Sequence, residues 1–466
     1  MRCLPHCLLC LLCMPALLAG QSDPLAGRQA EPTEPGSARP ATQPAARPAT
    51  QLATQTQPAG QSGESAARAG STADGLPGPA SLAELDAWLE RACEHFDVPA
   101  LGVAVLQDGR LAALATAGVR ETGHPAGVGR QDPWHLGSCT KAMTATLCAL
   151  LVEEGRLTWQ SSVAEVLGPV VGDLRPAYGP VTLEQLLAHR SGLPDLSNPL
   201  MAGGLMLWMR TLSGEPTGQR RSVAQRILST GPSSLAPATQ PGSRLIYSNE
   251  GYLLAGLFCE MVTQTDYETL IRQRLFEPLG MADVGFGPPE QTWLPATQPA
   301  TPAGHFRPPG AALQSTRTLP HRDNPPAFAP AGTAAAPLDQ WARFAQLWLD
   351  LLSDAAPASA LAAPARLPVN IDPVRRALAS GRTEYALGWV VFTDASGRRC
   401  LSHSGSNTVW FCTALLIPEA QWAVLVTTNI GPPDGSRAVA GVVERLQTLA
   451  PAPSRGDRGS SQPVSP

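Results

Sequence analysis

The chain has 466 residues, of which only 15% are charged, and its formal net charge is -4. No run of like charges forms a phosphate-binding or polybasic face, so the composition argues against a nucleic-acid partner and against a membrane-surface protein. The expected partner is a small molecule, a peptide or a neutral polymer. Residues 1–20 carry Arg2, an apolar stretch over 8–18 interrupted by Pro15, and the small pair Ala19 and Gly20, which reads as a short export signal. That stretch is too short to span a bilayer, no stable span is expected elsewhere, and an exported protein, periplasmic or secreted, is the expectation. Residues 21–80 are rich in Pro, Ala, Thr and Gln with few large apolar side chains, the composition of a disordered linker. The pentapeptide Pro-Ala-Thr-Gln-Pro starts at Pro40 and recurs from Pro237 and Pro295, without the fixed period of a solenoid.

Order is expected over 81–450, with 451–466 as an unstructured tail. Ser81 and Glu84 have capping-box spacing ahead of Leu82, Leu85, Trp88 and Leu89 at helical period. Strands over 101–106 and 111–117 join through Asp108 and Gly109 as a hairpin. A helix begins at Ser138, carries Met143, Leu147, Leu150 and Leu151 on one face, and stops at Gly155. Helices and loops fill 181–280. Strands follow over 385–393, 400–403, 410–417 and 422–428, and a closing helix over 437–449 takes Ser436 as its cap. One sheet built from the first hairpin and the late strands, flanked by helices and interrupted by a helical middle, is an α+β plan.

The chain contains one lysine, Lys141, among 34 basic residues. An arginine stays protonated, whereas a lysine amine can be desolvated until it acts as a base, so a composition that otherwise uses arginine singles out this position. Ser138 lies three residues earlier, one helical turn away, with its hydroxyl in the positive field of the helix start. Tyr247 and Asn249, two apart in extended backbone, would face one cleft, where a phenol can pass protons and a carboxamide can bind a carbonyl. On a late strand stand His403, Ser404, Gly405 and Ser406. Gly405 would admit a substrate backbone, Ser404 would offer a hydroxyl, and the Ser406 N–H with that of Ser138 would hold an oxyanion. Of ten cysteines, four lie in the export segment and six show no metal-ligand spacing. Cys400 and Cys412 either pair across a hairpin or remain buried thiols.

In this order, Ser138-x-x-Lys141, Tyr247-x-Asn249 and His403-x-Gly405 resemble the marks of the serine β-lactamase and penicillin-binding-protein superfamily, specifically its class C-like branch with D-alanyl-D-alanine carboxypeptidases and esterases. The segment from His189 to Asp195, that from Phe276 to Met281, and Ala331-Gly332 agree with it. The resemblance implies that Ser138 attacks a carbonyl and that Lys141 and Tyr247 move its proton. It implies further that Asn249 orients the substrate, that an acyl-enzyme forms, and that neither cofactor nor metal is needed. β-Lactams, D-Ala-D-Ala peptides and small esters are the candidate substrates. With histidine at 403, where many relatives have lysine, the charge offered to a substrate carboxylate is weaker and pH-dependent. Trp410, after an unusual turn at 406–409, would line the pocket. The rival reading is a non-catalytic module of the same fold that binds cell-wall peptides or β-lactams; a metal-dependent hydrolase is disfavoured by the scattered histidines.

Overall fold

The computed structural model describes residues 75–193, 199–230, 239–289, 301–317, 319, 323–353 and 367–451. The expected export signal, nearly all of the linker and the tail from 452 onward lie outside the described residues, as do two of the three pentapeptides and the first two residues of the one at Pro237.

Helix α1 (Leu85–Phe96) buries Leu85, Trp88, Leu89, Ala92 and Phe96 at helical spacing and ends on Asp97 in a left-handed conformation. The expected capping box is not formed. Ser81 makes no side-chain cap, its carbonyl accepts from the Glu84 N–H (3.3 Å), and a tight turn at Leu82–Glu84 delays the helix to Leu85. Strands β1 (Ala100–Gln107) and β2 (Arg110–Gly118) form the hairpin, with Asp108 and Gly109 both at positive φ, the geometry that suits the twist of paired strands. A short β3 (Pro133–His135) leads through a turn at Gly137–Cys139 into α2 (Thr140–Glu153), which is buried almost all round. The middle supplies α3 (Val163–Val171), α4 (Leu183–Leu187), α5 (Pro199–Met209), α6 (Pro216–Leu228), α7 (Asn249–Thr263) and α8 (Tyr267–Ile271). Then come β4 (Gly285–Phe286), β5 (His305–Phe306), β6 (Gln314–Ser315), α9 (Ala329–Gly332), β7 (Ala334–Pro337), α10 (Leu338–Leu351) and α11 (Asp372–Ser380).

The chain closes with β8 (Glu384–Ala386), β9 (Trp389–Thr393), β10 (Arg399–Ser406), β11 (Phe411–Ile417), β12 (Trp422–Thr428) and α12 (Asp434–Gln447). The single strand expected over 385–393 is two, because Leu387 (φ +48) and Gly388 (φ +83) turn the chain between them. Ser436 is not the cap of the last helix. It lies inside α12, where its hydroxyl donates to the Pro433 carbonyl.

Seven strands form one antiparallel sheet in the order β2-β1-β12-β11-β10-β9-β8. First and last strands of the ordered chain therefore pair within one sheet, as the α+β plan requires. β1 and β12 are apolar on both faces because helices cover both: α1 and α12 pack against Val103, Val105, Val424 and Val426, while α2, α7 and α10 belong to the larger core on the other side. Cys400 belongs to the first core and Cys412 to the second, so they face opposite sides of the sheet and do not pair; all six cysteines among the described residues are free thiols. Among the described residues no helix is long and apolar enough to cross a membrane.

The helical middle is pinned by a buried ion pair. Arg220, fully buried on α6, reaches Glu260 on α7 (2.5 Å) and Glu268 on α8 (2.8 Å), and Glu260 also accepts from Thr217 and from the Tyr267 N–H. Removing the guanidinium leaves the Glu260 carboxylate buried and uncompensated. Arg220→Ala is expected to cost about 3–5 kcal/mol in urea unfolding, and a loss below about 1 kcal/mol would show the pair to be incidental.

Candidate active site

The Lys141 side chain is fully buried, and its Nζ meets three oxygens: Ser138 Oγ at 3.0 Å, Asn249 Oδ1 at 2.8 Å and the Ala331 carbonyl at 2.6 Å. The carboxamide oxygen and the carbonyl can only accept, so each takes a hydrogen from Nζ. The third position faces a hydroxyl, which can accept from an ammonium or donate to the lone pair of a neutral amine. The same three contacts thus fit both protonation states, and a proton can pass between Oγ and Nζ without rearrangement. A planar guanidinium could not adopt this geometry or lose the proton. The structure brings Ser138, Lys141, Tyr247 and Asn249 together, with Nζ 5.0 Å from the centre of the Tyr247 ring.

Ser138 does not open α2. It sits in the tight turn before it, with Lys141 as the second residue of the helix. Nor are Tyr247 and Asn249 on one extended strand: Ser248 caps α7 by accepting from the Gly251 N–H, and Asn249 is the first helical residue. Two carriers of this arrangement escaped sequence reasoning. His189, at φ +55, accepts from the Ile246 N–H through its carbonyl (2.8 Å) and from the Ser248 N–H through Nδ1 (3.1 Å). Its ring lies 4.2 Å from that of Tyr247, so His189 holds the tyrosine from both flanks and by its face. Tyr385, the other, packs on His189 (4.3 Å) and directs its hydroxyl to His403 Nε2 (2.9 Å).

His403 differs from expectation. Nδ1 lies 2.7 Å from the Ser404 carbonyl, which can only accept, so Nδ1 carries the hydrogen and Nε2 accepts from Tyr385. Burial, reinforced by the Lys141 ammonium and opposed by the Ser404 carbonyl, pushes this imidazole down to about 3. It is neutral at ordinary pH rather than a pH-dependent charge, and both nitrogens are engaged within the protein. His189 is likewise held well below its usual range by burial and then by Lys141 and His403.

β9 pairs with β10 only as far as Ser402, which leaves the outer edge of residues 403–406 against the Ser138 turn. A side-chain carbon on Gly405 would fall 2.0 Å from the Leu136 carbonyl and 2.9 Å from the Ser138 nitrogen, so the glycine admits the protein's own backbone, not a substrate's. One on Gly137 (φ +46) would fall 2.3 Å from the Ser406 nitrogen. The backbone at 138 and at 406 is thereby brought side by side. The Ser404 hydroxyl pairs with Thr413 Oγ1 (2.9 Å), and that of Ser406 closes its own turn by donating to the Trp410 carbonyl and accepting from the Thr408 N–H. Trp410, expected at the pocket, is 1% exposed and packs edge-on against Trp134 in the core.

This sheet and its helices, with a serine beside a buried lysine, are the architecture of the β-lactamase and penicillin-binding-protein fold. The chain belongs to the beta-lactamase family, whose model matches residues 85–449. It is 32% identical over 199 residues to penicillin-binding protein 4 of Amycolatopsis lactamdurans, covering 42% of this chain and 47% of that one. The chain thus spans about half the length of that curated relative. Among solved structures, the octameric penicillin-binding protein homologue from Pyrococcus abyssi matches with a TM-score of 0.59 at 22% identity, over 80% of this chain and 78% of that one. The D-amino acid amidase from Ochrobactrum anthropi SV3 matches with a TM-score of 0.57 at 19% identity, over 79% and 97%. Such likenesses show the fold.

The neutral His403 has a measurable consequence. In the unfolded chain a histidine takes its proton near pH 6.5, in the folded protein His403 does so only near pH 3, and between them the unfolded state binds more protons. Its contribution to stability is therefore whole above about pH 6.5 and is lost as pH falls toward 3. Melting temperatures of the protein and of His403→Gln, followed from pH 7 to 4, are expected to show a shallower acid decline in the variant. Parallel curves would mean that His403 is protonated in the folded state.

Proposed function

We propose that this protein is an acyl-transfer hydrolase of the class C β-lactamase-related type, in which Ser138 forms an acyl-enzyme with an amide or ester. The observation that carries this reading is the buried Lys141 amine, held by two obligate acceptors and 3.0 Å from Ser138 Oγ. As Oγ attacks the carbonyl carbon, its proton passes to the Nζ lone pair. Oxygen charge then develops on the substrate and is met by the backbone N–H groups of Ser138 and Ser406. The proton is returned, by way of the Tyr247 hydroxyl, to the departing nitrogen or oxygen as the tetrahedral intermediate collapses. Water, losing its proton by the same route, attacks the ester on Ser138 and frees the acid. Asn249 keeps Nζ in place and orients the substrate.

His403, neutral and with both nitrogens engaged, offers no charge to a substrate carboxylate. This favours uncharged esters and amides over β-lactams and over peptides ending in a free carboxylate.

Incubation with a fluorophosphonate is expected to add one label at Ser138 by mass spectrometry, absent in Ser138→Ala. On a panel of p-nitrophenyl butyrate, an amino acid amide, a D-Ala-D-Ala peptide and nitrocefin, the first two are expected to give the higher kcat/KM. Lys141→Arg should lower kcat/KM on the best substrate by about 10³-fold or more, the scale of a lost general base. Lack of any Ser138 adduct, or full activity in Lys141→Arg, would defeat the proposal.

A further inference from the structure

We propose that Asp323 is a positioning residue that sets both arms of the oxyanion site at once, acting through His135 on one side and Asn407 on the other. The inference rests on the reading of the Ser138 and Ser406 N–H groups as that site.

The first arm runs through Gly137, the residue before Ser138. Its N–H donates to His135 Nδ1 (3.1 Å), so Nδ1 must carry the lone pair and the ring hydrogen must sit on Nε2. Nε2 lies 2.8 Å from Asp323 Oδ2, which receives that hydrogen. The second arm runs through Asn407, the residue after Ser406, whose Nδ2 donates to Asp323 Oδ1 (3.0 Å). One carboxylate therefore bridges the residues flanking both donors. It is itself fixed, because Oδ1 also accepts from the Asn324 N–H (2.7 Å) and the Asp323 carbonyl accepts from Arg210 (2.8 Å).

The His135 side chain is 0% exposed and that of Asp323 4%, so water does not compete for these bonds and the low dielectric strengthens them. Donors at an oxyanion site must stay within a few tenths of an ångström of the developing charge, and their own peptide planes set that position. Gly137 and Ser406 touch backbone to backbone, so a shift of either peptide is transmitted to the other. A clip across both is what keeps the pair in register.

The carboxylate cannot be replaced by its amide. In Asp323→Asn the oxygen can keep Asn407 and Asn324, but the new NH2 group then faces His135 Nε2. That nitrogen can accept only if the ring hydrogen moves to Nδ1, where it opposes the Gly137 N–H.

The test uses the full chain with p-nitrophenyl butyrate, active sites counted by fluorophosphonate labelling and Ser138→Ala as reference. Asp323→Asn is expected to lower kcat per labelled site about 10²-fold with KM within about threefold, the scale of a lost oxyanion donor. Asn407→Ala, which frees one arm and leaves the His135–Asp323 pair, should lower it about tenfold. Affinity for phenylboronic acid, whose adduct on Ser138 puts an oxygen in the site, should fall by similar factors. If Asp323→Asn does not fold, Asn407→Ala and the boronate series decide. Unchanged kcat per labelled site and unchanged boronate affinity, with only the melting temperature lowered, would reduce the clip to a stabilising contact and overturn the proposal. Turnover in the native protein that matches Ser138→Ala would overturn the reaction reading, and this inference with it.

Discussion

A primary amine without solvent contact must have each of its hydrogens placed by the protein, and Lys141 is such an amine. The oxygens around its Nζ come from three places in the chain: the turn that precedes its helix, the start of α7 and the short α9. The larger core therefore assembles around one nitrogen. Asn249 Oδ1 and the Ala331 carbonyl can never donate, so of these three oxygens only Ser138 Oγ can exchange a proton with the amine. That restriction links the packing of the helical layer to the chemistry proposed for the site.

Close backbone approach is the second constraint. The Ser138 turn meets the edge of β10, and the β8–β9 turn meets α2, at main-chain distance, and each contact has a glycine in it. A side-chain carbon on Gly388 would fall 2.4 Å from the Ala142 backbone, as those on Gly137 and Gly405 would collide with β10 and with the turn. These glycines bring α2 down onto the sheet edge left open beyond Ser402. The aromatic group of His189, Tyr247 and Tyr385, together with His403, then fills the remaining side of the amine with rings that carry no charge of their own. Lys141 is accordingly the charge that acts on both histidines.

Local rules made much of this legible beforehand. Asp108-Gly109 specifies its hairpin, the alternating and continuous apolar runs specify the late strands, and the three-residue interval from Ser138 to Lys141 places them one turn apart. Where reading failed, the failures have causes. Leu387 is not a turn-forming residue by propensity, and it adopts positive φ only because Gly388 packs on α2. Ser81 and Ser436 have capping spacing, but the chain enters each helix through a different turn. Spacing alone leaves Cys400 and Cys412 open between a pair and two thiols, and it is the strand register, sending them to opposite faces, that decides for thiols.

What the sequence determined by itself was the α+β plan and the meeting of Ser138 with Lys141, read from apolar patterning and from an interval of one helical turn. What only tertiary structure decided were contacts across long separations. His135 meets Asp323 188 residues away, Lys141 meets the Ala331 carbonyl 190 away, and Tyr385 reaches His403 from a neighbouring hairpin. The charge of His403 belongs to this second group. A histidine's protonation is set by burial and by which atoms face each ring nitrogen, and neither is written in the residues beside it.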